Sequence, residues 1–445
     1  MCVPPMQEGS VADRLLSLFK GVVLPLADAY LATRRHFRWS NEECRLICGE
    51  CRYPLNDIGR IYLVGAGKAG VPMARAIVDV LREDERLWAR FAGGTVNVYR
   101  DQARTTIPGV TLFGADHPNP NDDSVAGARA ALELLARAGK GDLVVAVISG
   151  GGSSLLTLPQ EGICLDDFRA TNRALVTGGP TIQEINTVRK HLSQVKGGRL
   201  RLAAPEAEFV TLVLSDVIGD DLSSIASGPT VPDATTCRDA VNVLERHQLW
   251  ERIPESSRAC LARGDASEAE RARLWREGVL ERTLTVVVAS NSVVLASLRE
   301  LLSTTEYRDL YRTVLVENTP VTGLLDSAVA LHHARAREES QRGRGPGLLV
   351  FGGEPVVKVP AGATGTGGRM LHYALLAAVR IAGTPWTVLA AGTDGIDGTS
   401  PAAGAVVTGE TISLAQEHGL NADACLDAFD SFGFFRELES RTGRS

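Results

Sequence analysis

The run Leu143–Leu156, LVVAVISGGGSSLL, decides the fold. Its first half is short, apolar and rich in β-branched residues, the pattern of a strand buried on both faces of a parallel sheet. Its second half, Ser149-Gly150-Gly151-Gly152-Ser153-Ser154, is a loop whose backbone N–H groups an anion can approach closely, because no Cβ stands in the way. Ser153 and Ser154 add hydroxyl donors. A Gly/Ser loop directly after a strand is where open α/β sheets hold phosphates; a flexible surface turn is the other reading.

Working outward, four more apolar runs end in the same way. Ile61–Val64 leads into Gly65-Ala66-Gly67-Lys68-Ala69-Gly70 and then a helical stretch to about Leu87. Phe209–Leu214 ends in Ser215-Asp216, Leu348–Phe351 in Gly352-Gly353-Glu354, and Trp386–Ala391 in Gly392-Thr393-Asp394-Gly395-Ile396-Asp397-Gly398. Residues 362–369, GATGTGGR, form a glycine loop closed by Arg369 before another helix. The first of these turns fits G-x-G-x-x-G, the dinucleotide fingerprint. Two features oppose that reading: Lys68 sits inside the turn, and the next strand, Thr95–Tyr99, has its first acid only at Asp101, beyond the offset of roughly 20 residues for a ribose-binding acid. A lysine loop for phosphate or carboxylate fits better.

Between these strands, TIQEINTVRKHLSQVKGGRL (181–200) opens with a Thr181/Glu184 capping box and carries an apolar stripe at Ile182, Ile185, Val188, Leu192 and Val195. Asn186, Arg189, Lys190 and Ser193 fall on another face, with Lys196 and Arg199 bracketing a Gly-Gly break. These basic groups face either solvent or a phosphate cleft. Asp116-His117-Pro118-Asn119-Pro120 reads as a rigid turn with a mainly structural histidine, and Asp122, Asp123 and Ser124 offer N-caps to the next helix. Residues 9–35 read as an amphipathic helix. Residues 36–60 are polar and without clear period, and the charged helical stretch 238–282 holds the crossing between domains.

Composition bounds the function. A chain of 445 residues, 44% apolar and 22% charged, is globular with two or three domains. A net charge of -6 and the lack of a dense Lys/Arg tract argue against nucleic acid. The longest aliphatic run is too short to span a bilayer, and the N-terminus lacks a secretory pattern. A cytoplasmic protein without membrane partners is expected, and a homo-oligomer is compatible with the sequence. Cys44, Cys48 and Cys51 have a C-x3-C-x2-C spacing that can hold three irons of a cluster. The polar stretch before them favours ordinary thiols on a helix.

The strand ends therefore offer Lys68, SGGGSS, Asp216, Glu354 and Asp394/Asp397, with Arg369 on a glycine loop. This inventory of donors, cations and carboxylates suits phosphoryl transfer. No G-x-x-x-x-G-K-[ST] is found, and no Ser–His or Cys–His nucleophile pair stands out.

The runs VGAGKAG (64–70), DHPNP (116–120), ISGGGSSLL (148–156), GGPTIQEINTVRKHLSQVKGGRL (178–200), LSDVIGDDLSSIASGPT (214–230), GGEPVV (352–357) and AAGTDGIDGTSPAAGA (390–405) resemble the glycerate 2-kinases of the MOFRL family, members of which are often labelled hydroxypyruvate reductases. The resemblance spans about residues 10–435. It implies two Rossmann-like α/β domains with mainly parallel sheets and an interdomain cleft, at residues 9–260 and 280–440. It implies a kinase that uses ATP and Mg2+ to convert D-glycerate to 2-phospho-D-glycerate, with Lys68, Asp216, Arg369 and Asp394 as active-site groups. On that reading Lys68 and Arg369 clamp the carboxylate or the phosphoryl group. Asp216 is the base or a metal partner, and Asp394 serves Mg2+ or a ribose hydroxyl. Gly150, Gly151, Gly152, Ser153, Ser154, Gly352, Gly353 and Glu354 hold the ATP phosphates, and Asn186, Arg189 and Lys196 contact substrate. An NAD(P)H-linked reductase and a non-catalytic relative are the alternatives. Two departures stand out. Met370-Leu371-His372 replaces the family's Asn-Gln-Glu or Asn-Thr-Glu, which would weaken ATP binding if those groups line the nucleotide cleft. The closing segment of the form TGPTGTNV, expected to complete the C-terminal domain, is not found.

Overall fold

The fold is described from a computed structural model that covers residues 9–443 apart from 318, 344 and 361. Two compact units divide the chain: Ala29–Ser290, and the stretch up to Asp28 together with Asn291 onward.

The first unit begins with the helix Ala29–His36, followed by an antiparallel sheet of three short strands, β1 (Phe37–Ser40), β2 (Arg45–Cys48) and β3 (Cys51–Pro54). The cysteine group lies here and not on a helix: Cys48 pairs with Cys51 across the β2–β3 turn, and Cys44 occupies a left-handed turn position at φ 49°. Six strands then form one parallel sheet: β4 (Ile61–Ala66), β5 (Phe91–Tyr99), β6 (Val110–Ala115), β7 (Leu143–Ser149), β8 (Glu208–Leu214) and β9 (Thr283–Ala289). Their order is β6-β5-β4-β7-β8-β9. The winding direction reverses between β4 and β7, and the C-terminal edge at such a reversal is where open α/β sheets bind ligands.

Burial explains the central strands. Every residue of β7 is buried. Alternate residues serve opposite faces. Leu63, Val145, Val147 and Leu212 pack with Met73 and Ile77 of the helix Gly70–Leu81. Tyr62, Val64, Val144 and Ala146 pack with Ala128, Ala131 and Leu135 of the helix Asp122–Leu135. That helix is capped by Asn121 through a box with Ser124, so the cap lies one residue before the expected Asp122–Ser124 group. The Thr181/Glu184 box is present as read.

The second unit is also built of helices and short strands. Among the described residues it holds a parallel pair, β10 (Thr313–Val316) with β11 (Gly347–Val350), and an antiparallel pair, β12 (Thr387–Ala391) with β13 (Gly404–Thr408). The unit boundaries also depart from 9–260 and 280–440. β9 extends the six-stranded sheet, so the chain crosses at Ser290/Asn291 and not within 238–282. The N-terminal helices joined over residues 11–27 bury Leu18, Val22 and Leu26 against Leu295, Leu298, Leu302 and Leu348 of the second unit. Among the described residues no single helix is long and apolar enough to cross a membrane.

Arg201 ties the approach to β8 to the entry of β9. It is fully buried, stands 4.9 Å over the Phe209 ring, and donates to the Ala204 carbonyl at 2.6 Å, the Ala207 carbonyl at 3.2 Å and the Thr283 hydroxyl at 2.7 Å. Removing the guanidinium takes these donors from the core and leaves the Ala207 carbonyl without its Arg201 partner, so Arg201→Met should cost about 3 kcal/mol of unfolding free energy. Urea titration of the two proteins checks this; equal midpoints would show that the buried cation adds nothing.

Candidate active site

The first unit brings three loops together at the β4/β7 junction. The amide of Lys68 donates to the Gly150 carbonyl at 2.8 Å, and the amide of Ala69 donates to the Ser149 hydroxyl at 3.0 Å. The two strand ends are thereby tied beyond the sheet itself. Gly151 adopts φ 80°, a left-handed conformation that favours glycine, and starts the short turn of helix Gly152–Leu155.

Three chemically useful side chains gather on this loop. A Cβ placed on Gly150 would lie 1.8 Å from Asp216 Oδ2, so the carboxylate leans directly on the glycine backbone. A Cβ on Gly151 would lie 3.1 Å from Lys68 Cγ and 3.4 Å from His117 Cδ2. Lys68 and Asp216 are exposed at the strand ends, as required of groups that meet a ligand. His117 is the member that its sequence context undervalued. Partial desolvation and the Lys68 cation pull its pKa below the ordinary value, while the Asp216 carboxylate pulls the other way. Its signal in the sequence was only the rigid His-Pro turn after β6.

The serines read as phosphate contacts and the residues read as substrate contacts have protein partners in and beneath the loop. Ser153 Oγ lies 2.9 Å from Ser227 Oγ, which donates to Asn186 Oδ1 at 3.0 Å. Ser154 Oγ donates to the Pro118 carbonyl at 2.7 Å. Arg189 Nε donates to Asn172 Oδ1 at 2.8 Å. Lys196 Nζ is buried and donates to the Ser153 and Leu156 carbonyls at 2.7 and 2.9 Å. Asn186 and Lys196 therefore hold the underside of the glycine loop, and Ser153 and Ser154 have protein partners of their own.

The second unit presents its own group. Arg369 opens the helix Arg369–Ile381 and pairs with Glu354 at 2.8 Å, both side chains being about half exposed. Asp397 is buried and accepts from the amides of Met370 and Leu371 at 3.0 and 2.7 Å. It caps that helix, which leaves Asp394 as the exposed acid of the TDGID loop. Gly352 and Gly353 run beside Val321: the Val321 amide donates to the Gly352 carbonyl, and the Glu354 amide to the Val321 carbonyl, each at 2.9 Å. Of the departing triplet, Leu371 is a core residue. His372 stacks on Phe429 with ring centroids 5.0 Å apart and lines a cavity of about 550 Å3 with Asp326, Lys358 and Asp427.

Burial, reinforced by Arg189, pushes the Lys196 pKa down from the ordinary 10.5 to about 7. Between these values the unfolded chain binds the extra proton, so this group makes stability rise with pH across that window. The unfolding free energy should climb between about pH 7.5 and 9.5 relative to Lys196→Met, by at most about 1.4 kcal/mol per pH unit. Denaturant titrations of both proteins at matched pH check it; parallel curves would overturn it.

Comparison with known proteins closes the picture. Residues 17–262 match a domain of unknown function, DUF4147, and residues 347–444 match the MOFRL family. The chain is 35% identical to the glycerate 2-kinase of Pyrococcus horikoshii, over 94% of this chain and 90% of that protein. It is 36% identical to a putative hydroxypyruvate reductase of Agrobacterium vitis, over 86% and 84% of the two chains. The crystal structure of a glycerate kinase from Thermotoga maritima superposes with a TM-score of 0.76 at 29% identity, covering 94% of this chain and 91% of that one. With residues 17–262 and 347–444 matched by family models and 35% identity to a glycerate 2-kinase over 94% of its length, the chain belongs to the MOFRL family of glycerate 2-kinases.

Proposed function

We propose that this protein transfers the γ-phosphoryl group of ATP to the 2-hydroxyl of D-glycerate in the presence of Mg2+, giving 2-phospho-D-glycerate and ADP. The observation that carries the proposal is the convergence of Lys68, Asp216 and the Gly150–Gly152 loop on one strand-end junction. That set supplies what phosphoryl transfer asks of a protein: a cation and backbone donors for oxygen charge, and a carboxylate for the attacking hydroxyl.

In this reading Lys68 neutralises the glycerate carboxylate or the transferring group. Asp216 accepts the 2-hydroxyl proton as the new O–P bond forms and the bond to the β-phosphate oxygen breaks. His117, kept neutral by desolvation and by Lys68, lends a hydrogen bond without adding charge. Lys196 and Asn186 position the loop from below. In the second unit, Arg369 binds an anionic oxygen, exchanging its Glu354 partner for the ligand.

The carboxylates suit a hard cation. Within its own unit each of Asp216 and Asp394 is exposed and would offer carboxylate oxygens to a cation that keeps part of its water, whereas Asp397 is committed to its helix. Bound Mg2+ supplies charge neutralisation on phosphate oxygens.

The test incubates purified protein with D-glycerate and Mg-ATP and resolves 2- from 3-phosphoglycerate. ATP-dependent 2-phosphoglycerate is expected. Lys68→Ala should lower kcat/KM by about 100-fold or more. Gly150→Ala, which drives a methyl group into the Asp216 carboxylate, should do the same with an unchanged circular dichroism spectrum. Hydroxypyruvate-dependent oxidation of NADH without phosphorylation would overturn the assignment in favour of a reductase.

A further inference from the structure

Helices distant in sequence bring an imidazole, a thiol and a carboxylate together, away from the residues assigned above. His191 ends the helix Ile182–His191, Cys237 begins Cys237–Arg246, and Glu268 begins Glu268–Leu274. Their candidate ligand atoms all lie within 4.8 Å of one another. His191 Nδ1 is 3.6 Å from Cys237 Sγ and 3.6 Å from Glu268 Oε1. Around a zinc ion with bonds of about 2.3 Å to sulfur and about 2.0 Å to nitrogen, a tetrahedral edge is about 3.5 Å.

The hydrogen bonds favour the metal-ready tautomer. His191 Nε2 lies 3.1 Å from the Thr235 hydroxyl, and that hydroxyl donates to Asp233 Oδ1 at 2.8 Å. With the Thr235 proton used, Nε2 carries the ring hydrogen and Nδ1 turns its lone pair toward Cys237 and Glu268. Such an outer hydroxyl–carboxylate relay is the usual support for a metal-bound histidine. The second oxygen of Asp233 is buried without a hydrogen-bond partner, 3.7 Å from Nε2.

A simple thiol–imidazole hydrogen bond leaves this cluster incomplete. Cys237 has one S–H proton, while both Nδ1 and Glu268 Oε1 are acceptors facing it. Glu268 Oε1 accepts from the Cys237 backbone amide at 2.9 Å and also faces the Cys237 thiol. Of the surrounding cations, Lys190 pairs with Asp233 at 3.3 Å, while Arg199 and Arg271 share Asp265 at 3.1 and 2.6 Å. Asp239 is committed to its Thr236 cap. The anionic group among the three is the Glu268 carboxylate, whose Oε1 lies 3.6 Å from His191 Nδ1. His191 and Cys237 are buried, whereas the Glu268 side chain is 30% exposed and gives an entry path and a place for a water ligand.

We propose that His191, Cys237 and Glu268 form a structural site for a borderline-soft divalent cation of the zinc class, with water as the fourth ligand. Binding releases the Cys237 proton to solvent, so that thiolate and carboxylate together balance the ion.

The test uses chelator-dialysed full-length protein titrated with Co2+. One equivalent should produce a near-ultraviolet thiolate-to-cobalt absorption and intense visible bands of a tetrahedral ion, and Zn2+ should displace both. Cys237→Ser should lose the near-ultraviolet band. Glu268→Gln, at a partly exposed position, should weaken Co2+ binding by at least about tenfold, and it keeps the test open if the serine variant does not fold. Absence of a thiolate band in the wild type, the same band in Cys237→Ser, or unaltered affinity in Glu268→Gln would each overturn the site.

Discussion

The contact on which the first unit's loop geometry depends is the approach of the Asp216 carboxylate to the backbone of Gly150, where a Cβ would stand only 1.8 Å from Oδ2. β7 and β8 are neighbours in register, Ser149 beside Leu214, so the residues that follow leave the sheet side by side. A side chain on the first loop would push the acid away from the crevice. Because it is glycine, the carboxylate closes onto the loop, and the remaining contacts follow. The Lys68 amide fixes the Gly150 carbonyl, Ser149 fixes the Ala69 amide, and Lys196 draws down the carbonyls of Ser153 and Leu156. The Lys68 side chain is left at the open edge beside Asp216 and His117.

The sequence made these strand ends legible because burial on both faces demands unbroken β-branched runs, and the runs stop where glycine begins. Residues 143–149 and 209–214 could hardly be anything else. Other parts were not legible, for identifiable reasons. The strands of residues 37–54 are four residues each with mixed polarity, too short to display a period. The stripe on residues 11–27 declares an apolar face without naming its partner, which proves to be Leu295, Leu298 and Leu348. The run 283–289 fits any sheet, and only its pairing with β8 assigns it to the first unit. In the TDGID loop both acids look equivalent until the amides of Met370 and Leu371 are seen to claim Asp397.

Lys196 shows why a list of charged residues cannot by itself give a site. Lysine is read as solvent-facing because an ammonium group is costly to bury. Here two carbonyls from the end of a short helix accept its protons and offset part of that cost, so a residue that looked ready for a phosphate becomes part of the scaffold. Arg201 and Asp397 follow the same rule: each is buried, and each is used by backbone groups around it. The groups that remain in water at strand or helix ends are Lys68, Asp216, Arg369 and Asp394. That division has a physical basis. A charge committed to backbone partners in a low-dielectric interior cannot be redirected to a ligand without leaving those partners unsatisfied. An exposed charge gives up only water or a solvent-screened partner such as Glu354, which contributes little. Chemistry is therefore expected of charges that stay exposed at strand and helix ends, and the glycine at position 150 lets the Asp216 carboxylate stand at such an end.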